Sequence, residues 1–230
     1  MSAVYLVRHG QASFGPADYD QLSALGEQQA RVLGQVLATQ SASISRVASG
    51  GMRRHRQTAQ AALAAMGRPG EWQEDAGWNE FDHVALVQAL HPDPVAAAGL
   101  RETLMAAPDP KRAFQAVFEQ AMARWVSGEY DADYPETWAA FRARCSQALE
   151  RLLDGLPRGD DALVFTSGGP IATLAQGLLQ SPDDAGVRLS WGLVNCGVTK
   201  LVRGSDGIRL STLNGHAHFE GPHAALITYR

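Results

Sequence analysis

A chain of 230 residues that is 45% hydrophobic and 19% charged can bury a sizeable core, which excludes a disordered or fibrous protein. Its net charge of -4 excludes a nucleic-acid coat, because duplex binding depends on a basic surface that releases counterions, so any anion site must be local. No membrane association is expected either: the opening Met1 to Val7 reaches Arg8 before any apolar stretch is long enough for a signal peptide or membrane helix, which points to the cytoplasm.

Ala3 to Arg8 is an apolar run rich in strand formers, and it ends at Gly10 as a buried parallel strand before a turn would. After a polar loop, Ser23 is a good N-cap, and Leu25, Ala30, Leu33 and Leu37 repeat at helical spacing. Ser45 to Ser49 is a second strand, closed by Gly50-Gly51, and the Ala-rich Gln57 to Met66 reads as a helix. From about 81 to 133 the character changes to helical stretches broken by His91-Pro92-Asp93-Pro94 and Pro108-Asp109-Pro110, which reads as a helical insert.

Pro135-Glu136-Thr137 then opens a long amphipathic helix with Trp138, Phe141, Cys145, Leu149 and Leu152 on one face. Ala162 to Thr166 forms a strand that meets Gly168-Gly169-Pro170, and a helix follows from Ile171 to Leu179. Val198 to Val202 and Ile208 to Leu213 make a terminal pair of strands. This alternation predicts a three-layer α/β/α sandwich with a mostly parallel central sheet, folded as one domain over 1–230, whose ligands bind outside the carboxyl ends of the strands. Cys145 and Cys196 lack redox or metal-ligand spacing and read as reduced, buried hydrophobes. Trp72, Trp78 and Trp125 flank or lie within the insert and could line a pocket, with core packing as the default reading.

Arg8, His9 and Gly10 stand where the first strand is expected to end, which is where an α/β sheet presents side chains to a ligand. An imidazole near its reference pKa is partly neutral at cytoplasmic pH and can act as a nucleophile, while the adjacent guanidinium suits phosphate oxygens. Alone, the tripeptide is short and common by chance. It is joined by Leu22-Ser23-Ala24-Leu25-Gly26-Glu27-Gln28-Gln29-Ala30 and by Arg54-His55-Arg56-Gln57-Thr58-Ala59. Together these segments resemble the histidine phosphatase superfamily, in which an Arg-His-Gly turn precedes a Leu-Thr/Ser-x-x-Gly-x-x-Gln-Ala helix and an Arg-x-x-Gln-Thr-Ala segment. The resemblance runs from Leu6 to Thr166-Ser167-Gly168-Gly169, fades in the insert and near the C-terminus, and implies a phosphoglycerate mutase-like fold.

By this resemblance His9 is the phosphate acceptor, and Arg8 and Arg54 clamp the phosphoryl group. Without it Arg53, Arg54 and Arg56 would read as a solvated basic face. Two cations nearly neutralise a phosphomonoester of roughly -1.5 to -2 charge. The family's proton-donating glutamate is matched at Trp78-Asn79-Glu80, with Asp75 and Asp82 as alternatives; a carboxyl group beside an anionic ligand is expected to titrate high. One departure is Ser167, which stands where the family has a second phosphate-binding histidine. Its hydroxyl and the N–H groups at Gly168 could still hold the anion.

A second departure is Gln11-Ala12-Ser13-Phe14-Gly15, which lacks the mutase asparagine and leaves Ser13 and Gly15 as contacts. His216 is a conceivable replacement for the missing histidine, and His218 matches a structural position. No metal and no cofactor are implied, since no zinc-ligand set, phosphate loop or dinucleotide turn is present. The partner is a small phosphorylated substrate or phosphate, and the sequence carries no signal of oligomeric state. The expected activity is phosphomonoester hydrolysis through a phosphohistidine. The alternatives are a phospholigand-binding or regulatory protein that has lost turnover at Ser167 and, third, a phosphoglycerate mutase.

Overall fold

The computed structural model describes residues 1–13, 20–40, 43–93 and 105–229, together with Gly99, Glu102 and Thr103. Phe14, Gly15 and Pro94 fall outside them. Six strands, β1 (Ser2–Arg8), β2 (Ile44–Ser49), β3 (Gln73–Glu74), β4 (Asp161–Thr166), β5 (Val198–Gly204) and β6 (Gly207–Gly215), form one sheet in the order β3-β2-β4-β1-β5-β6. The pairs β1/β4, β2/β4 and β2/β3 are parallel, whereas β5 pairs antiparallel with both β1 and β6. Val4, Leu6, Val7, Leu163, Val164 and Phe165 are all fully buried. Central parallel strands are covered on both faces, which is why their sequences read as unbroken apolar runs.

On one face, α1 (Ala24–Gln40) and α2 (Arg53–Ala65) pack together. Leu33 and Leu37 of α1 and Ala59, Ala62 and Leu63 of α2 share a core with Val7, Leu163 and Phe165 of the sheet. Among the described residues, further α-helices are α3 (His83–Leu90), α4 (Pro110–Ser127), α5 (Trp138–Asp154), α6 (Gly168–Leu178) and α7 (Asp183–Trp191). The chain divides into two compact units, residues 1–80 with 144–230, and residues 81–143. The second is helical: α3 packs on α4, and Trp125 lies 5.2 Å from the rings of both Phe81 and Trp138. Trp78 and Trp125 are buried. Among the described residues no helix is long and apolar enough to cross a membrane.

Local chemistry explains where the elements depart from expectation. Helix α2 starts at Arg53 rather than Gln57, because Asp20 reaches from a distant loop and accepts the Arg53 N–H at 2.9 Å, a cap that local sequence does not reveal. Helix α6 starts at Gly168, with two poor helix formers ahead of Pro170. Helix α7 and the two-residue strand β3, which is polar and exposed, were not expected.

Candidate active site

Because β2, β4 and β1 are adjacent and parallel, their carboxyl ends deliver three segments to one edge of the sheet. These are Gly50-Gly51 leading into α2, Ser167-Gly168 leading into α6, and His9-Gly10. The His9 N–H donates to the Thr166 carbonyl at 2.8 Å and the Gly50 N–H to that of Phe165 at 3.0 Å, so the three turns are joined by main-chain bonds.

His9 retains 8% exposure, enough for a small ligand to touch it. Its Nδ1 lies 2.7 Å from the Gly10 carbonyl. Since a carbonyl only accepts, Nδ1 carries the proton of the neutral ring and Nε2 keeps a lone pair. Burial, then the charges of Arg54 and Arg8 and the neighbouring His55, hold its pKa well below the usual 6.5. The neutral, nucleophilic form is therefore the resting form.

The turn is clamped on all sides. Asn195 donates to the His9 carbonyl at 3.1 Å, Gly10 N–H donates to Thr58 at 3.1 Å, and Gln11 N–H donates to Gln29 Oε1 at 2.8 Å. The other end of Gln29 donates to the Leu226 carbonyl and the Thr228 hydroxyl at 2.7 and 2.8 Å. A Cβ on Gly10 would stand 2.4 Å from the Gly26 carbonyl oxygen, and one on Gly26 would stand 2.2 Å from that of Gln11. Both glycines are needed for α1 to dock its first turn on the His9 loop. Gln29, Gly26 and Thr58 thus hold the His9 turn. Asn195, which lies in a loop without a local signature, was not foreseen from the sequence.

Arg8 donates through Nη1 to the carbonyls of Leu193 and, at 2.7 Å, Tyr229. Arg54 is buried, with Nη1 on Asp20 Oδ1 at 2.7 Å. Its neighbours face outward: Arg53 is exposed, and Arg56 is forked onto Glu74 at 2.6 and 2.7 Å. Of the three, Arg54 is the one inside the site.

Glu80 accepts the Gly169 N–H through Oε2 at 3.1 Å, which places its carboxylate at the start of α6. Asp75 caps the short 3-10 helix Ala76–Trp78 and is forked by Arg151, and Asp82 caps α3, so both alternatives are occupied structurally. Ser13 donates to the Gln21 carbonyl at 3.3 Å. His216 faces the Asn214 carbonyl at 2.6 Å. His218 faces that of Cys196 at 3.1 Å, and its pKa is pushed down to about 4, chiefly by burial. Among the described residues no cluster of three His, Cys, Asp or Glu could hold a metal ion.

Ser167 is the N-cap residue of α6 and is fully buried, and its Oγ lies 2.6 Å from Nε2 of His55. The His55 ring centroid is 5.7 Å from that of His9. In the sequence His55 lies inside a charged run, between Arg54 and Arg56. The available signal was periodicity: His55, Thr58, Ala59 and Ala62 recur at the buried positions of α2.

The model of the histidine phosphatase superfamily (branch 1) matches residues 4–216, and the chain belongs to that superfamily. Among solved structures, it is similar to a mutant phosphoserine phosphatase from Entamoeba histolytica in complex with phosphoserine (18% identity, 95% of this chain and 99% of that one, TM-score 0.65). It is also similar to a phosphoglycerate mutase from Bacillus anthracis (18% identity, 94% of each chain, TM-score 0.63). A mycobacterial glucosyl-3-phosphoglycerate phosphatase shares 21% identity over 94% of this chain and 99% of that one, with a TM-score of 0.61. At these identities the likeness is one of fold. No significant match to a curated protein sequence was found.

Proposed function

We propose that the protein hydrolyses a small phosphomonoester through a phosphorylated His9. The observation that carries this reading is the neutral imidazole of His9, its Nδ1–H fixed on the Gly10 carbonyl, lying within the electrostatic reach of two arginines. Superfamily membership and a fold shared with phosphatases acting on phosphoserine and glucosyl-3-phosphoglycerate support it.

In the first step the Nε2 lone pair forms the N–P bond as the ester P–O bond breaks. The leaving oxygen takes the electron pair and a proton from Glu80, while Arg8 and Arg54 stabilise the equatorial oxygens. The phosphorylated ring is cationic and keeps its Nδ1–H on Gly10, which makes it a good leaving group. Water then attacks phosphorus and gives a proton to the Glu80 carboxylate, and the N–P electron pair returns to Nε2.

The test is acid-labile label after rapid quench with a labelled phosphomonoester such as p-nitrophenyl phosphate. Wild type is expected to carry label and His9→Ala none, and Glu80→Gln should slow turnover by ~10² to 10⁴. Absence of label in wild type across a broad substrate panel overturns the proposal. A second reading, a phospholigand-binding protein with little turnover, rests on Ser167 and expects tight phosphate binding without label.

A further inference from the structure

We propose that His55 and Ser167 act as one unit in place of the second phosphate-binding histidine: the imidazole comes from α2, the hydroxyl from the β4–α6 turn, and His55 positions Ser167 to donate to a phosphoryl oxygen. This rests on the phosphotransfer reading above.

Burial and the charges of Arg54 and Arg56 keep His55 neutral, so it has one N–H, and Ser167 has one O–H. Between them lies one hydrogen bond of 2.6 Å, and both side chains are fully buried. Nδ1 of His55 has no hydrogen-bond partner among the described residues, and it packs so closely on Gly50 that a Cβ there would stand 2.3 Å from it. If Ser167 donates to Nε2, the ring proton sits on Nδ1 as a buried orphan donor, the costlier kind of deficit. If Nε2–H donates to Ser167, Nδ1 is left as a bare lone pair, and the remaining hydrogen is the serine O–H, in want of an acceptor. The second arrangement is favoured, and a phosphoryl oxygen beside His9 is the acceptor it lacks.

The pair also explains how the pocket manages without histidine at 167. A ring whose centroid is 5.7 Å from that of His9 already fills the space, and it enters from the neighbouring strand's helix rather than from the β4 turn. Ser167 has no exposed surface, so the side chains around His9 must part slightly when the phosphoryl group enters.

The experiment is a mutant cycle on the whole chain, read by p-nitrophenyl phosphate turnover and by inhibition with orthovanadate, a mimic of the transferring phosphoryl group, and with inorganic phosphate. Ser167→Ala and His55→Ala are each expected to lose ~10² to 10³ in kcat, and the double variant no more than either, because one donor is lost in every case. Vanadate affinity should fall more than phosphate affinity, which a merely structural role would not produce. Ser167→His alone should not help, because His55 occupies the space, whereas Ser167→His with His55→Ala should recover turnover.

His55→Gln keeps an N–H donor on Ser167 and should stay within about tenfold of wild type. Should His55→Ala not fold, this variant and Ser167→Ala carry the test. If Ser167→Ala keeps wild-type turnover, if His55→Gln falls as far as alanine, or if the losses multiply, the unit does not exist, although label on His9 would still stand. Wild type that neither turns over nor binds vanadate overturns the phosphotransfer reading itself, and this inference with it.

Discussion

A buried guanidinium needs negative charge nearby, and Asp20 supplies it to Arg54 while its second oxygen caps the Arg53 N–H. On the proposed mechanism an incoming phosphoryl group competes with that carboxylate. Asp20→Asn keeps an oxygen for the cap and removes the charge, so inorganic phosphate should inhibit more strongly, by about fivefold for ~1 kcal/mol of relieved repulsion. An unchanged or weakened inhibition constant would show that Asp20 is not in competition with the ligand. Arg8, His9 and Arg54 were legible as candidates because the Arg-His-Gly turn and the Arg-x-x-Gln-Thr-Ala segment mark them in the sequence. His55 was not, since its significance lies in Ser167, 112 positions away in the chain, and no local pattern records the contact.

Helix α1 matters less for its length than for its first turns, which dock on the His9 loop through Gly26 and Gln29. Gln29 is fully buried and serves three partners from two distant segments, so Gln29→Ala leaves the Gln11 N–H, the Leu226 carbonyl and the Thr228 hydroxyl short of a bond. A loss on the order of 3 kcal/mol is expected in urea unfolding, together with reduced kcat as the His9 turn loosens. A change below about 0.5 kcal/mol would contradict the clamp. At this scale the central strands were readable, because burial on both faces writes itself as apolar runs. The start of α2 was not, because its cap comes from Asp20, and α7 lacks an apolar stripe strong enough to separate it from loop.

For the molecule as a whole, the alternation of strand and helix was enough to expect the sheet, whereas the pairing order depends on crossovers that only the folded chain displays. The buried histidines also make global stability depend on pH. His9 and His55 are held well below 6.5 and His218 at about 4, so the folded chain binds fewer protons than the unfolded chain in this range. Their contribution is therefore fully present above the unfolded value of about 6.5 and is lost as pH falls toward the folded values. The urea midpoint should drop between pH 7 and 5, with a shallower drop in His55→Gln, and an unchanged midpoint would contradict neutral burial. The central claim, transfer through one defined atom of His9, is tested most directly by locating phosphorus on the trapped intermediate by NMR of the quenched protein. Phosphorus on Nε2 of His9 is the expected result, because Nδ1 is committed to the Gly10 carbonyl. Phosphorus on Nδ1, on another residue, or on none would contradict it.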